Sequence, residues 1–114
     1  GDVCAIVTGA TPYTTRPLAR ALRIPHVVAS ELERTPAGEF TGRPEFPLCL
    51  GDGKLARASV LAQRLGFDLR DAVFYTDSHT DLPLLEAVGE PVCVNPDMRL
   101  KRTAKKRGWR IETW

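Results

Sequence analysis

Three short stretches hold the residue types that handle anions and metal ions. The first is Thr8-Gly9-Ala10-Thr11, directly after the apolar run Val3–Val7. A hydroxyl at a strand tip followed by Gly offers an O–H and exposed backbone N–H groups to an anion. The same residues also make an ordinary turn in which Thr is a cap. The second is Thr76-Asp77-Ser78-His79-Thr80-Asp81, after the apolar run Ala72–Tyr75. Asp77 and Asp81 would then stand at a strand tip and a helix start, facing one crevice. Mg²⁺ takes hard oxygen ligands, commonly one or two carboxylates completed by water and substrate phosphate. The competing reading is structural: Asp81 favours a helix N-terminus and Asp77 caps a turn. His79 reads as a polar loop residue rather than a general base. The third stretch is Gly51-Asp52-Gly53-Lys54. It is not a P-loop, because Leu48 and Leu55 stand where Gly and Ser/Thr are needed. A Lys at a helix start between small residues can still reach over a crevice, although most such lysines are plain surface residues.

The elements that must position these residues alternate in type. Val3–Val7, His26–Ala29, Ala72–Tyr75 and Pro91–Val94 are short apolar runs of strand length. Between them lie helical patterns. Thr15 and Pro17 suit the start of a first helix, ended by Pro25. Asp52 suits the cap of a second helix over 53–65, ended by Gly66. A third spans 80–88 with Pro83 in its first turn, and a fourth runs from the Asp97 cap to about Arg107, before Gly108. The Ser30–Gly53 stretch, rich in Pro and Gly, predicts a flap or hairpin, with β-like pieces at 39–41 and 47–49. The order β-α-β-flap-α-β-α-β-α argues for an α/β domain with a parallel sheet. Continuous rather than alternating apolar runs fit strands covered on both faces. In such sheets ligands bind beyond the carboxyl ends of the strands, where the three stretches fall.

Composition sets the outer bounds. A chain of 114 residues, 43% apolar and 26% charged, is sized for one domain with its own core. No apolar stretch approaches the ~18 residues of a membrane span. The net charge of +2 does not argue for nucleic acid or a membrane surface. It is unevenly spread: Asp97–Trp114 carries +5 and the remainder −3. A basic helix could touch phosphate backbones, but no aromatic residues interleave as stacking platforms, and cations near a helix C-terminus are favoured by its dipole. Cys4, Cys49 and Cys93 lie far apart without CxxC spacing, and no secretory signal is recognisable. Reduced thiols in a cytoplasm are the expectation, with Cys4 and Cys93 as small core residues. The sequence does not begin with Met, which suggests a start inside a longer gene product.

Taken together, hydroxyl, lysine and carboxylate pair, in that chain order, make a phosphate-and-metal site. In this arrangement the chain resembles the C-terminal portion of a haloacid-dehalogenase (HAD) superfamily phosphatase of the phosphoserine-phosphatase-like branch. The matching pieces are Ile6-Val7-Thr8-Gly9 (motif II), Gly53-Lys54 (motif III) and Phe74-Tyr75-Thr76-Asp77-Ser78-His79-Thr80-Asp81 with its DLPLL continuation (motif IV). Thr15-Arg16-Pro17-Leu18-Ala19, Glu39-Phe40-Thr41-Gly42, Val94-Asn95-Pro96-Asp97 and Arg107-Gly108-Trp109 are similar to that branch as well. The resemblance implies an α/β, Rossmann-like three-layer sandwich with a mostly parallel sheet. It also implies hydrolysis of a small phosphorylated metabolite through an aspartyl-phosphate, with Mg²⁺ as cofactor. By motif match, Thr8 and the Gly9 N–H would hold phosphoryl oxygens, and Lys54 would neutralise phosphoryl charge. Asp77 would bind Mg²⁺, with Asp81 supporting the metal site. Thr80, where the branch commonly has Asn, would lie at the phosphate site.

One departure is large. The family's motif I, a DxD that supplies the nucleophile and the acid/base, occurs nowhere in these 114 residues, and neither does the helical cap that follows it. Residues 1–114 therefore read as a partial HAD-like core domain with a flap-like insert at Ser30–Gly53, inactive alone. The alternative reading is a catalytically inactive module that binds phosphate or a protein partner. In the family the motif I strand lies between the motif II and motif IV strands. Without it those strands either pair directly or present edges for self-association, a homodimer being the simplest closed form.

Overall fold

The computed structural model describes residues 3–114, so Gly1 and Asp2 lie outside the described residues. The chain forms two compact units, one up to Ala58 and one from Ser59 to Trp114. The first contains β1 (Ala5–Val7), α1 (Pro12–Ala21), β2 (His26–Val28), β3 (Leu32–Arg34) and β4 (Phe40–Pro44). Helix α2 (Asp52–Leu65) begins in the first unit and ends in the second. The second continues with β5 (Val73–Thr76), α3 (Leu82–Ala87), β6 (Glu90–Val94), α4 (Met98–Arg107) and β7 (Arg110–Glu112).

In the first unit β1 and β2 pair in parallel, Ile6 opposite Val27. The connection α1 begins earlier than expected. Thr11 is its cap and Pro12 takes its first turn, where a missing N–H costs nothing. Pro17 therefore lies inside the helix, and Thr15 is buried within it, its hydroxyl donating to the Thr11 carbonyl at 3.1 Å. Pro25 is not the terminator either. Arg23 adopts a left-handed conformation (φ 56°), and the Ile24 N–H returns to the Ala19 carbonyl at 2.8 Å. The expected flap contains an antiparallel hairpin, β3 with β4, interrupted by a register shift. Tyr13 of α1 meets Phe40 of this hairpin edge-on, ring centroids 5.6 Å apart, with the Arg34 guanidinium over the Phe40 ring. Ala19, Val28, Ala29, Cys49 and Ala58 are buried apolar residues of this unit.

In the second unit β5, β6 and β7 form a parallel sheet in that order. Its core is Leu85, Cys93, Leu100 and Ala104, with Phe74, Trp109 and Ile111 packed against it. Strand β7, beyond the elements expected from the sequence, pairs Ile111 with Cys93. The stop and start of α4 are as the sequence indicates. Asp97 caps it, and Gly108 ends it at φ 73°.

Two expectations fail for one reason. Strands β1 and β5 are not covered on both faces, and Cys4 is exposed rather than core. The described sheets are β1-β2, β3-β4 and β5-β6-β7, so β1 and β5 each end a sheet. An end strand loses cover that a central strand has. Only β6, flanked on both sides, keeps Val92, Cys93 and Val94 buried.

Candidate functional site

In the first unit the site residues follow β1. The Thr8 N–H donates to the Val28 carbonyl at 2.9 Å, which continues the β1–β2 ladder to the strand tip. The Thr8 hydroxyl oxygen accepts the Ala10 N–H at 3.1 Å. That bond uses a lone pair and leaves the hydroxyl proton for an acceptor in front of the strand. Gly9 faces the Leu50 side chain: a Cβ built there would lie 2.5 Å from Leu50 Cδ2. The Leu50 carbonyl in turn accepts the Gly53 N–H at 2.9 Å, in the opening turn of α2. Leu50 thus joins the Thr8-Gly9 tip to the helix start that carries Lys54. Gly53 has a reason of its own. A Cβ there would lie 1.8 Å from the Leu48 carbonyl oxygen, so the preceding loop folds back onto a position only Gly can fill. Lys54 is 7% exposed, a burial rare for lysine and unlike the surface position usual for one.

In the second unit the site residues follow β5. Asp77 is exposed at the strand tip and Asp81 is buried. The Thr76 hydroxyl donates to Asp81 Oδ2 at 2.5 Å and accepts the Ser78 N–H at 3.3 Å. The Ser78 and Thr80 hydroxyls are 2.7 Å apart, and Ser78 Oγ accepts the Thr80 N–H. A 3-10 turn over His79–Asp81 then leads into α3. The structure thus brings Thr8, Gly9 and Lys54 together in one unit and Asp77, Thr80 and Asp81 together in the other.

The donor set in the second unit is two carboxylates on one loop, all oxygen. Among the described residues no group of three His, Cys, Asp or Glu side chains could hold a metal. Such a pair fits Mg²⁺, which uses few protein carboxylates, and does not fit Zn²⁺.

Two residues beyond the sequence reading's set shape this loop. Thr76 orients Asp81. Asp97 reaches the loop from the tip of β6: its Oδ2 accepts the His79 N–H at 2.9 Å while Oδ1 accepts the Leu100 N–H at 2.8 Å. These N–H groups, Leu100 first and His79 second, hold the Asp97 carboxyl below the usual carboxylate range. The sequence signals only the cap at Asp97; the contact with residue 79 is long-range and leaves no local trace.

Residues 1–86 match the haloacid dehalogenase-like hydrolase family. The chain belongs to this family. Among its relatives is a histidinol-phosphatase of Neisseria meningitidis, 32% identical over 114 residues, covering 97% of this chain and 51% of that protein. A phosphoserine phosphatase of Mycobacterium tuberculosis is 39% identical over 103 residues, 90% of this chain and 33% of that protein. A protein of unknown function from Bordetella pertussis superposes with a TM-score of 0.88 at 38% identity, over 98% of this chain and 51% of its own. The chain thus spans between a third and about half of the length of these relatives. The α/β fold with parallel strands is similar to that of this solved Bordetella pertussis structure, and the motif residues lie after β1, after β5 and in the first turn of α2. Among the described residues no helix is long and apolar enough to cross a membrane.

Proposed function

We propose that this chain is the phosphate- and metal-holding part of a Mg²⁺-dependent HAD phosphatase acting on a small phosphomonoester. The observation that carries this reading is the loop after β5, where an exposed Asp77 and a buried Asp81 bonded to Thr76 follow the strand tip. Relatives named for phosphoserine and histidinol phosphate support the substrate class.

Each residue has a defined task. The Thr8 hydroxyl, its oxygen already fixed by the Ala10 N–H, donates to a phosphoryl oxygen, and the Gly9 N–H donates beside it. The Lys54 ammonium offsets phosphoryl charge from the first turn of α2, where the helix dipole adds positive potential. Asp77 and Asp81 hold Mg²⁺, which supplies charge neutralisation at the phosphoryl oxygens. Catalysis of phosphoryl transfer is mainly positioning and electrostatic stabilisation, and these are the groups it requires. In the HAD mechanism a DxD would supply the nucleophilic Asp and the acid/base, and these 114 residues contain no DxD.

The test is hydrolysis of p-nitrophenyl phosphate with Mg²⁺. The chain alone is expected to be inert, since removing a nucleophile costs many orders of magnitude, on the order of 10⁶ in a well-studied hydrolase. A chimaera joining it to the part of the histidinol-phosphatase it does not match should hydrolyse the ester, and Asp77→Ala or Lys54→Ala should abolish this. A folded but inert chimaera, or a chain active alone, overturns the reading.

A further inference from the structure

Strand β6 ends in Val94-Asn95-Pro96-Asp97, and each polar residue of that turn is committed. Asn95, in a left-handed conformation (φ 42°), exchanges two hydrogen bonds with the Trp114 backbone, and its N–H donates to the Glu112 carbonyl. The turn is thereby tied to the end of β7. Asp97 points the other way, toward the tip of β5. Its N–H donates to the Asp77 carbonyl at 3.0 Å, and its carboxylate accepts from His79 and from Leu100. Leu100 is fully buried, so α4 is a fixed support.

We infer that Asp97 is a positioning residue for the Asp77–Asp81 loop: its N–H and its carboxylate clamp that loop, on either side of Ser78, to the start of α4. That the clamped loop is the metal loop rests on the function proposed above. A carboxylate suits the task because its two oxygens can accept from two N–H groups on different segments at once. A residue serving only as a helix cap would need one. Residues that orient metal-binding carboxylates from behind typically contribute about 10- to 100-fold to metal affinity.

The discriminating variant is Asp97→Ser. Ser caps a helix as well as Asp does, so the Leu100 bond and α4 survive, but its single short hydroxyl cannot also reach His79. Two readouts separate the roles. Amide exchange at His79 is followed with Cys93, in the core strand, as the internal reference. Mn²⁺ affinity is followed by electron paramagnetic resonance. With Asp97→Ser, His79 should exchange at least ~10-fold faster while Cys93 is unchanged, a local opening rather than global unfolding. Mn²⁺ binding should weaken about 10-fold or more. Wild-type values of both in Asp97→Ser would overturn the clamp and leave Asp97 a cap. If the wild-type chain binds no Mn²⁺ at millimolar concentration, the metal reading fails, and His79 exchange alone decides the clamp: faster supports it, unchanged overturns it.

Discussion

Asp97 and the three cysteines show how differently single residues of similar sequence context end up. Cys4 and Cys93 both lie in apolar runs, yet Cys93 is fully buried and Cys4 is exposed. Burial pushes the Cys93 thiol up, away from the reactive thiolate. With a disulfide reagent at pH 8, Cys4 should react quickly and Cys49 and Cys93 only after denaturant is added; a fast second thiol would contradict the packing. Asp97 titrates the other way. Its folded-state pKa is depressed, so its stabilisation is fully present above the unfolded value of about 3.9 and is lost as pH falls through the lower folded value. The melting-temperature gap between wild type and Asp97→Ala should therefore be widest near neutral pH and close below about pH 3.9. A gap independent of pH would mean the carboxylate charge is not what its N–H partners select.

At the scale of elements, local signals held where local chemistry decides. Asp97 and Gly108 bracket α4 because a capping carboxylate and a left-handed C-terminal residue are demands of the helix itself. The motif residues were legible for a related reason: strand tip, Gly and carboxylate follow one another in sequence. Thr15-Arg16-Pro17 reads as a helix start, yet the packed helix begins at Pro12 and holds Pro17 in its interior. Strand β7 has a single apolar residue, Ile111, between Arg110 and Glu112, so nothing in its pattern announces a strand; β6 recruits it by pairing. The junction of α3 and β6 depends on close approach. A Cβ at Gly89 would lie 1.8 Å from the Arg70 carbonyl oxygen. Gly89→Ala should destabilise the protein by about 1–3 kcal/mol, as overpacking does. Leu100→Ala, which empties the core of the second unit, should cost about 2–5 kcal/mol. Denaturant unfolding checks both, and a neutral Gly89→Ala would show that the 69–71 turn yields freely.

At the scale of the whole molecule, each described sheet ends in strands with one edge lacking a sheet partner, β1 and β5 among them. β1 pairs only with β2, and β5 only with β6. On β5, Val73 is 45% and Tyr75 51% exposed, and the strand Val-Phe-Tyr-Thr holds neither charge nor Pro. Natural edges are usually blunted by one of those devices or by a covering element. Self-association through the β5 edge is the prediction for the chain by itself. Two copies joining their β5 edges about a two-fold axis would pair antiparallel and continue each sheet into the other. Sedimentation at micromolar concentration should give a mass that rises above 12.6 kDa with concentration. Val73→Lys places a charge on that exposed edge position and should return the mass toward the monomer, without a large change in melting temperature. A chimaera whose added segment covers the β5 edge should be less associated than the chain alone. A monomer at every concentration would reject the dimer, and an unchanged oligomer in Val73→Lys would move the contact away from β5.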